Sequence, residues 1–318
     1  MPIRRYTESD RPAVAGLLDS ATGGDPVRRL LWDLHGPARQ APARCTLVAE
    51  RRGELVGVGS VSHGRRHPRR VFTTVHVAPG HRRHGIATAL LDALRPPARG
   101  LPFRVRTRAD DADGLGFLAA RGFRLALRCR TGLLGRPAEA AEAVEAVDAA
   151  ERLAGGCSAE PAEAGPELAA LFTRWYANTH RWDPPARWEP DDALAEFCGP
   201  DVLPGAAWQV RDAAGRLAGA ATLLAGALLP GACDLAHIAA LPVGRDGAVP
   251  IVARLAARAL RHAAGLGRPV AVEVDEPSAA FWTVAHTLPV RWDPDTLIHV
   301  TDAPGAIQRR QPQPRRWF

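Results

Sequence analysis

The most conspicuous absence in this sequence of 318 residues is lysine, since all 41 basic residues are arginine. Alanine, glycine and proline are abundant, so the absence is explained by the codon usage of a G+C-rich genome. No uncharged apolar stretch reaches the ~18 residues that span a bilayer, and the N-terminus MPIRRYTESD lacks the apolar run of a signal peptide. These absences argue against a membrane protein and predict a cytoplasmic one.

Cysteine is also sparse, and the five cysteines are far apart at Cys45, Cys129, Cys157, Cys198 and Cys233. No CxxC motif occurs, which argues against a zinc site or a redox motif, and we predict no metal. An odd number of cysteines in a chain of this size is typical of free thiols in a reducing cytoplasm.

Hydrophobic residues make up 46% of the chain and charged residues 24%, as in soluble globular proteins, and the length predicts two domains. Residues 1–136 hold 25 arginines against 11 acidic residues, and the remainder holds 16 against 23. The positive charge of the first half is suited to binding nucleic acid, to binding a phosphorylated coenzyme or to docking on the acidic second half. The arginines at 65–70 lack interleaved aromatic residues, which disfavours nucleic acid.

The first half has the pattern of a mixed α/β domain. Strands are predicted at 2–6, 45–50, 55–62, 71–77, 103–108 and 123–134, and helices at 9–18, 26–34, 85–94 and 112–120. Arg51-Arg52-Gly53 predicts a tight hairpin between the second and third strands. Residues 1–135 are therefore predicted to form one domain.

The second half repeats this order of elements, which indicates an internal duplication. Helices are predicted at 166–179, 191–197, 249–264 and 278–287, and strands at 207–211, 217–224, 234–241, 270–274 and 296–301. The acidic, alanine-rich segment 136–155 is either a helical linker or the first helix of the next unit. We predict a second domain at 156–304 and a basic surface tail at 305–318.

The strongest motif is Val75-His-Val-Ala-Pro-Gly-His-Arg-Arg-His-Gly-Ile-Ala87, in which a strand runs through a short loop into a helix. The free amides and the dipole at a helix start favour an anion. Gly85 and Ala87 keep the surface low enough for phosphates to reach the backbone, while Arg82 and Arg83 add positive charge. The motif therefore predicts a cradle for a diphosphate.

This motif resembles that of the GNAT superfamily of acyltransferases, Gln/Arg-x-x-Gly-x-Gly/Ala, which Arg82-x-x-Gly85-x-Ala87 matches. A second match is the segment 116–123, Gly-Phe-Leu-Ala-Ala-Arg-Gly-Phe. The resemblance implies an α/β (α+β) fold of two GNAT-like domains, each a mixed, mostly antiparallel sheet flanked by helices. The second repeat is expected to be degenerate, because its segment 241–248 lacks the spaced arginine and glycine.

The resemblance implies transfer of an acetyl group from acetyl-CoA to a primary amine of a small molecule or peptide, such as an antibiotic or a peptide N-terminus. The residues expected to bind the coenzyme are Val75, His76, Val77, Arg82, Arg83, His84, Gly85, Ile86, Ala87, Thr88, Asp111 and Phe117. His76 is the candidate catalytic base, since a histidine can take a proton from an ammonium group near neutral pH. The alternative is a packed strand histidine.

The chain departs from the family pattern at two positions. Leu118 stands where members often have a tyrosine acting as general acid, and Asp111 where they often have asparagine. The rival hypothesis is therefore a non-catalytic acetyl-CoA-binding or partner-binding protein. A third alternative is an enzyme like the mycothiol synthases, tandem proteins that carry the intact motif in the C-terminal repeat instead.

The second half offers further candidates. Most of the tryptophans lie there, and the segment 175–188, with Tyr176, His180 and Asp183, forms either core or the lining of an acceptor pocket. Glu273 lies where some amine acetyltransferases of the family place a base.

Overall fold

The structure is a computed structural model that describes residues 1–19, 44–150, 158–226, 231–241 and 247–302. The chain divides into two compact units, one made of residues 1–105, 118–124 and 299–318 and the other of residues 106–117 and 125–298. The helix predicted at 26–34 and the predicted tail lie outside the described residues. The domain boundaries predicted along the sequence stay a prediction.

The first unit is a sheet with helices against it. Its elements are β1 (Ile3–Arg5), α1 (Arg11–Asp19), β2 (Arg44–Arg51), β3 (Glu54–His63), β4 (Val71–Val77), α2 (Ile86–Ala93) and the start of β5 (Phe103–Arg108). The strands are ordered β1-β2-β3-β4-β5, and only the β4–β5 pair is parallel. The mixed, mostly antiparallel sheet predicted from the sequence is confirmed.

The hairpin between β2 and β3 forms where the sequence predicted it. Arg52 has a φ of 54° and Gly53 a φ of 84°. Two successive residues with positive φ are typical of the turn whose twist matches a tight hairpin.

Helix α2 lies directly on β3 because two residues of that strand have no side chain. A Cβ atom on Gly57 would lie 3.1 Å from both Ile86 Cγ2 and Leu90 Cδ1. On Gly59 it would lie 3.1 Å from Leu94 Cδ1. These contacts fix the position of the helix, and therefore of its first turn, over the sheet.

The elements that follow along the chain belong mainly to the second unit. They are α3 (Ala112–Ala120), β6 (Arg124–Leu134), α4 (Pro137–Ala150), β7 (Glu160–Pro161), α5 (Pro166–Thr179), α6 (Pro190–Cys198), β8 (Val202–Arg211), β9 (Leu217–Ala225), β10 (Cys233–Ala240), α7 (Ala248–Gly265), β11 (Val270–Asp275), α8 (Ala279–Ala285), β12 (Arg291–Trp292) and β13 (Thr296–Val300). The sheet of this unit is ordered β6-β11-β10-β9-β8-β7, with β12 against β6. Only β10 and β11 pair in parallel.

Each unit includes strand residues from the other half of the sequence. Strand β6 closes the first half of the sequence, yet it pairs antiparallel with β11 from Leu134↔Val270 to Cys129↔Asp275. In the first unit, Thr301 donates its N–H to the Phe103 carbonyl at 3.0 Å, and Thr301 Oγ1 accepts from the Phe103 N–H at 2.8 Å. Because such pairing is long-range, the order of elements alone does not predict it.

The segment after β6 is a core helix rather than an exposed one. Ala140, Ala141 and Val144 of α4 are buried in the same hydrophobic cluster as Leu255 and Leu260 of α7. The alanine-rich face allows the two helices to approach closely. Among the described helices, none is both long enough and apolar enough to cross a membrane.

Gly132 offers a test of the pairing around β6. A Cβ atom there would lie 2.5 Å from Val290 Cγ1 and 2.8 Å from the Arg291 carbonyl oxygen. We expect Gly132→Ala to lower the free energy of unfolding by about 1–3 kcal/mol, as overpacking typically does. Gly135→Ala is the control, because a Cβ atom at Gly135 meets nothing within 4 Å. Equal unfolding free energies for the two variants would contradict the packing described.

Candidate functional site

Strand β4 pairs with β5 over only the first part of its length, and beyond that part its edge is open. Its register with β5 consists of Val71↔Phe103 and Phe72↔Arg104. The Val71 N–H donates to the Pro102 carbonyl at 3.0 Å, and backbone groups alternate along a strand, so the N–H groups of Val75 and Val77 point to that same edge. Past Phe72, this edge presents backbone donors and acceptors suited to an extended ligand.

Arg82 brings positive charge to this open edge. Its Nε donates to the carbonyl of Val77, the last residue of β4, at 3.3 Å. Its side chain is half-buried. The guanidinium is therefore held beside the end of the strand, where it can neutralise a phosphate.

The start of α2 has the backbone of an anion site. Gly85 is the N-cap, with φ 76° and ψ 2°, and no side chain caps the helix. The first helical hydrogen bond runs from the Ala89 N–H to the Gly85 carbonyl at 3.0 Å, which leaves the amides of the first turn for an external acceptor. A Cβ atom on Gly85 would meet nothing within 4 Å. The space above the helix start is open.

The other loop residues differ in what they present. Arg83 and His84 are exposed, and the His84 Nδ1–H donates to the Arg82 carbonyl at 2.7 Å. Ile86 is 2% exposed, so it can offer a ligand only its backbone amide. Ala87 and Thr88 are half-buried at the first turn.

His76 lies on the opposite face of β4 from Val75 and Val77. It pairs with Val58, which belongs to the core cluster that contains Val14 of α1. The ring is half-buried, and its Nε2 atom is shielded from solvent. His76 therefore borders the open edge on the α1 side, and its role as base stays a prediction.

Two of the residues predicted to bind the coenzyme, Asp111 and Phe117, belong to the second compact unit, whereas the other ten belong to the first. Asp111 makes a hydrogen bond within its own segment: its Oδ1 accepts from the Gly114 N–H at 3.0 Å, at the start of α3. Phe117 is half-buried. Leu118 is 4% exposed and belongs to the hydrophobic core.

The first half of the sequence matches a family model over the segment that contains the loop. Residues 17–123 match the sequence model of the acetyltransferase (GNAT) family. The chain therefore contains a GNAT domain, and the resemblance indicated by Arg82-x-x-Gly85-x-Ala87 is confirmed. No curated protein sequence matches this one.

Solved structures share the fold over nearly the whole chain. A GCN5-related N-acetyltransferase from Sphaerobacter thermophilus aligns with TM-score 0.61 and 15% identity, covering 94% of this chain and 95% of that one. A tandem GNAT protein from the clavulanic acid biosynthesis pathway aligns with TM-score 0.56 and 18% identity, covering 96% and 99%. A GCN5-related glucosamine N-acetyltransferase region of a fungal multi-domain β-N-acetylglucosaminidase aligns with TM-score 0.60 and 15% identity, covering 94% and 38%. These likenesses establish the tandem GNAT fold.

A second group of titratable residues lies in the second unit, where β11 ends. Asp275 pairs with Cys129 of β6, and Glu273 is two residues earlier on the same face of β11. His180, at the end of α5, places its Nε2 3.8 Å from Asp275 Oδ2. Its ring stacks on Tyr176 with 3.9 Å between centroids. We call Asp275, Glu273, His180 and Tyr176 the β11 cluster.

The surroundings perturb the acid–base properties of this cluster. Burial, and then the neighbouring Glu273 carboxylate, raise the pKa of Asp275 to about 7. Burial, and then the charges of Asp275 and Glu273, raise the pKa of the Cys129 thiol. Asp275 is therefore partly ionised near neutral pH, whereas Cys129 is a neutral thiol.

The sequence patterns indicate His180 and Glu273 separately as candidate residues, but they do not indicate Asp275. An acidic residue at the end of a strand has no distinctive pattern, and nothing local predicts that the end of α5 meets the end of β11. The element order was the available signal, because α5 and β11 belong to the same repeat.

The raised pKa of Asp275 predicts a pH-dependent stability. Since the folded-state pKa of about 7 exceeds the ordinary value of 3.8, ionisation opposes folding, and this contribution to stability is lost as pH rises from about 4 to 7. We expect Asp275→Asn to raise the Tm above that of the wild type by an amount that grows over this range and then levels off. Glu276→Gln removes the same charge from an exposed neighbour and should show no such growth. A constant difference for Asp275→Asn would refute the assignment.

Proposed function

We propose that this protein transfers an acetyl group from acetyl-CoA to a primary amine of a small molecule or peptide. The observation that carries the proposal is the combination of the open β4 edge with the uncapped start of α2. This combination is suited to an extended ligand that ends in a diphosphate. The strand amides can hydrogen-bond the extended part of the ligand, and the helix amides can hydrogen-bond its phosphates. The four described cysteines carry no disulfide, which supports a cytoplasmic location as part of the proposal.

The residues of the first unit are suited to binding the coenzyme. The amides around Gly85, Ile86 and Ala87, with Arg82, would hold the pyrophosphate, and the open space above Gly85 admits it. The N–H groups of Val75 and Val77 would hold the pantetheine arm and polarise the thioester carbonyl. Acetyl-CoA supplies an activated acetyl group.

His76 is the residue of β4 that we propose as proton acceptor. His76 belongs to the part of β4 that lies past its pairing with β5, and a histidine is suited to taking a proton from an ammonium group. Holding the amine beside this edge adds the rate advantage of orientation.

The second unit supports a single coenzyme per chain. Its β10 and β11 diverge after Leu235↔Val272, much as β4 and β5 do, and the Cys233 N–H donates to the Pro269 carbonyl at 2.9 Å. Beyond this pairing Trp175 lines the same cavity as Ile238 and Ala240 of β10, and its Nε1–H donates to Ser278 Oγ at 3.0 Å. This cavity has a volume of about 10 Å³, room for one water molecule.

A non-catalytic acetyl-CoA-binding protein is the second candidate. This candidate is supported by Leu118, a buried aliphatic residue. At this position the family pattern often has a tyrosine that acts as general acid. Transfer assays with a library of primary amines separate the two candidates. Turnover that is lost when the α2 start is altered rejects the non-catalytic candidate, and binding without turnover supports it.

Gly85→Phe tests the coenzyme site. We expect isothermal titration to show loss of acetyl-CoA binding, since the side chain would occupy the space above the helix start. The positive φ adds a strain of about 1–2 kcal/mol, so Gly53→Phe is the matched control, with a φ of 84° and equally open surroundings. Wild-type protein and the control should each bind a single equivalent.

The outcomes of this titration are decisive. Unchanged affinity of Gly85→Phe would remove the helix start from the site. Full binding by Arg82→Ala combined with Gly85→Phe would show that the coenzyme binds elsewhere, including the second unit.

His76→Ala tests the proton acceptor. If His76 is the base, turnover should fall by roughly 10²–10⁴-fold, while acetyl-CoA affinity is retained. The acidic limb of the pH–rate profile should change as well. His63→Ala is the control, since His63 Nε2 donates to the Pro97 carbonyl at 3.2 Å. A loss of less than about threefold would make His76 a packing residue.

A further inference from the structure

Two loops lie side by side at the end of the first unit's sheet where β4 begins. Residues 64–70 lead into β4, and residues 94–102 lead from α2 into β5. Because β4 and β5 pair in parallel at their first residues, both loops reach the sheet at the same end. The strand from Val71 to Val77 spans about 20 Å, so the loops are remote from the loop that follows Val77 and leads into α2.

Contacts at their bases hold both loops in place. His63 Nε2 donates to the Pro97 carbonyl at 3.2 Å, which ties the end of β3 to the second loop. Within the second loop, the Arg99 N–H donates to the Pro96 carbonyl at 3.0 Å, and Ala98 is buried. The side chains that point outward are therefore presented from a preformed surface, which lowers the entropic cost of binding a partner.

Three exposed arginines on these loops have no acidic partner. They are Arg65, Arg69 and Arg99, which we call the loop arginines. Within the part of the chain that the structure describes, none of the three side chains makes an ion pair or a hydrogen bond. Their positive charge is therefore available to a partner.

The neighbouring acidic residues are few, and they are already paired. Residues 55–105 hold nine arginines and one acidic residue, Asp92, whose carboxylate lies 3.2 Å from Arg95. Asp302, on the segment after β13, pairs with Arg124 at 3.3 Å. A surface with an excess of positive charge that is not neutralised attracts polyanions.

We propose that the loop arginines bind the phosphate backbone of double-stranded nucleic acid. A guanidinium group can donate two parallel hydrogen bonds to a phosphate. Contacts of this kind hold a protein on a duplex without reading its base sequence. The inference goes beyond acetyl transfer and does not depend on it.

The side chains that the two loops lack distinguish a duplex from other polyanions. Neither loop has an exposed large hydrophobic side chain, whereas a protein interface has an apolar core and stable attachment to a membrane takes apolar groups as well as charge. Neither loop contains phenylalanine, tyrosine or tryptophan, on which the bases of a single strand would stack. The argument from missing aromatic residues therefore applies to single strands, and a duplex bound through its phosphates needs none.

The test measures the fluorescence anisotropy of a labelled duplex of about 20 base pairs mixed with the full chain, at about 50 to 200 mM salt. We expect saturable binding that weakens as salt rises. Replacing the loop arginines together, as Arg65→Gln, Arg69→Gln and Arg99→Gln, should lower the affinity about tenfold or more. It should also reduce the slope of log affinity against log salt by about three.

The matched control combines Arg5→Gln, Arg11→Gln and Arg52→Gln, which remove the same charge from exposed positions elsewhere in the first unit. Arg52 matches Arg99 in backbone conformation, since their φ angles are 54° and 55°. The control should keep the salt slope of the wild type. Both triple variants should keep the Tm of the wild type, which verifies that they are folded.

Equal losses of affinity in the two triple variants, or no saturable binding by the wild type at the lowest salt, would overturn the inference. Tighter binding of the separated single strand, of poly-L-glutamate or of phosphatidylserine vesicles would also overturn it. Binding of either a DNA or an RNA duplex supports it, and their relative affinity identifies the source of the phosphates. Gly85→Phe should bind the duplex as the wild type does, so this result and the acetyl-CoA titration can fail independently.

Discussion

The parting of β4 from β5 after Phe72 is the constraint on which the first unit depends. A strand that keeps both neighbours uses all its backbone groups in the sheet, whereas one that loses a neighbour presents them to a ligand. Gly57 and Gly59 bring α2 down onto β3 at this level, so the helix begins beside the open edge. Strand amides and helix amides are then brought together in one place without a contribution from any long polar side chain.

This part of the site could be predicted because it is local in sequence. A strand, a proline, a loop and a helix start follow one another between Val71 and Ala93, and each has a recognisable pattern. The conformation of Gly85, with its positive φ, is what its lack of a side chain predicts. The bounds of most strands and helices were predictable for the same reason, whereas the two-residue strands β7 and β12 are too short to produce a pattern.

Strand partners and the β11 cluster could not be predicted because they depend on contacts between distant segments. Nothing in the pattern of β6 indicates that it pairs with β11, and this pairing is what sets Cys129 opposite Asp275. The approach of His180 to Asp275 likewise depends on how α5 packs over the sheet. Position along the chain determines an element, but packing determines its neighbours.

The two repeats share a backbone arrangement but differ in the side chains that surround it. The Val71–Pro102 hydrogen bond of the first repeat recurs as Cys233–Pro269 in the second, where Trp175 lines a small cavity with Ile238 and Ala240 of β10. The backbone pairing at the opening is therefore retained in both repeats, whereas the side chains next to it differ. The arginine-rich half carries the helix start suited to an anionic coenzyme, and the half with more acids than arginines carries the carboxylates of β11.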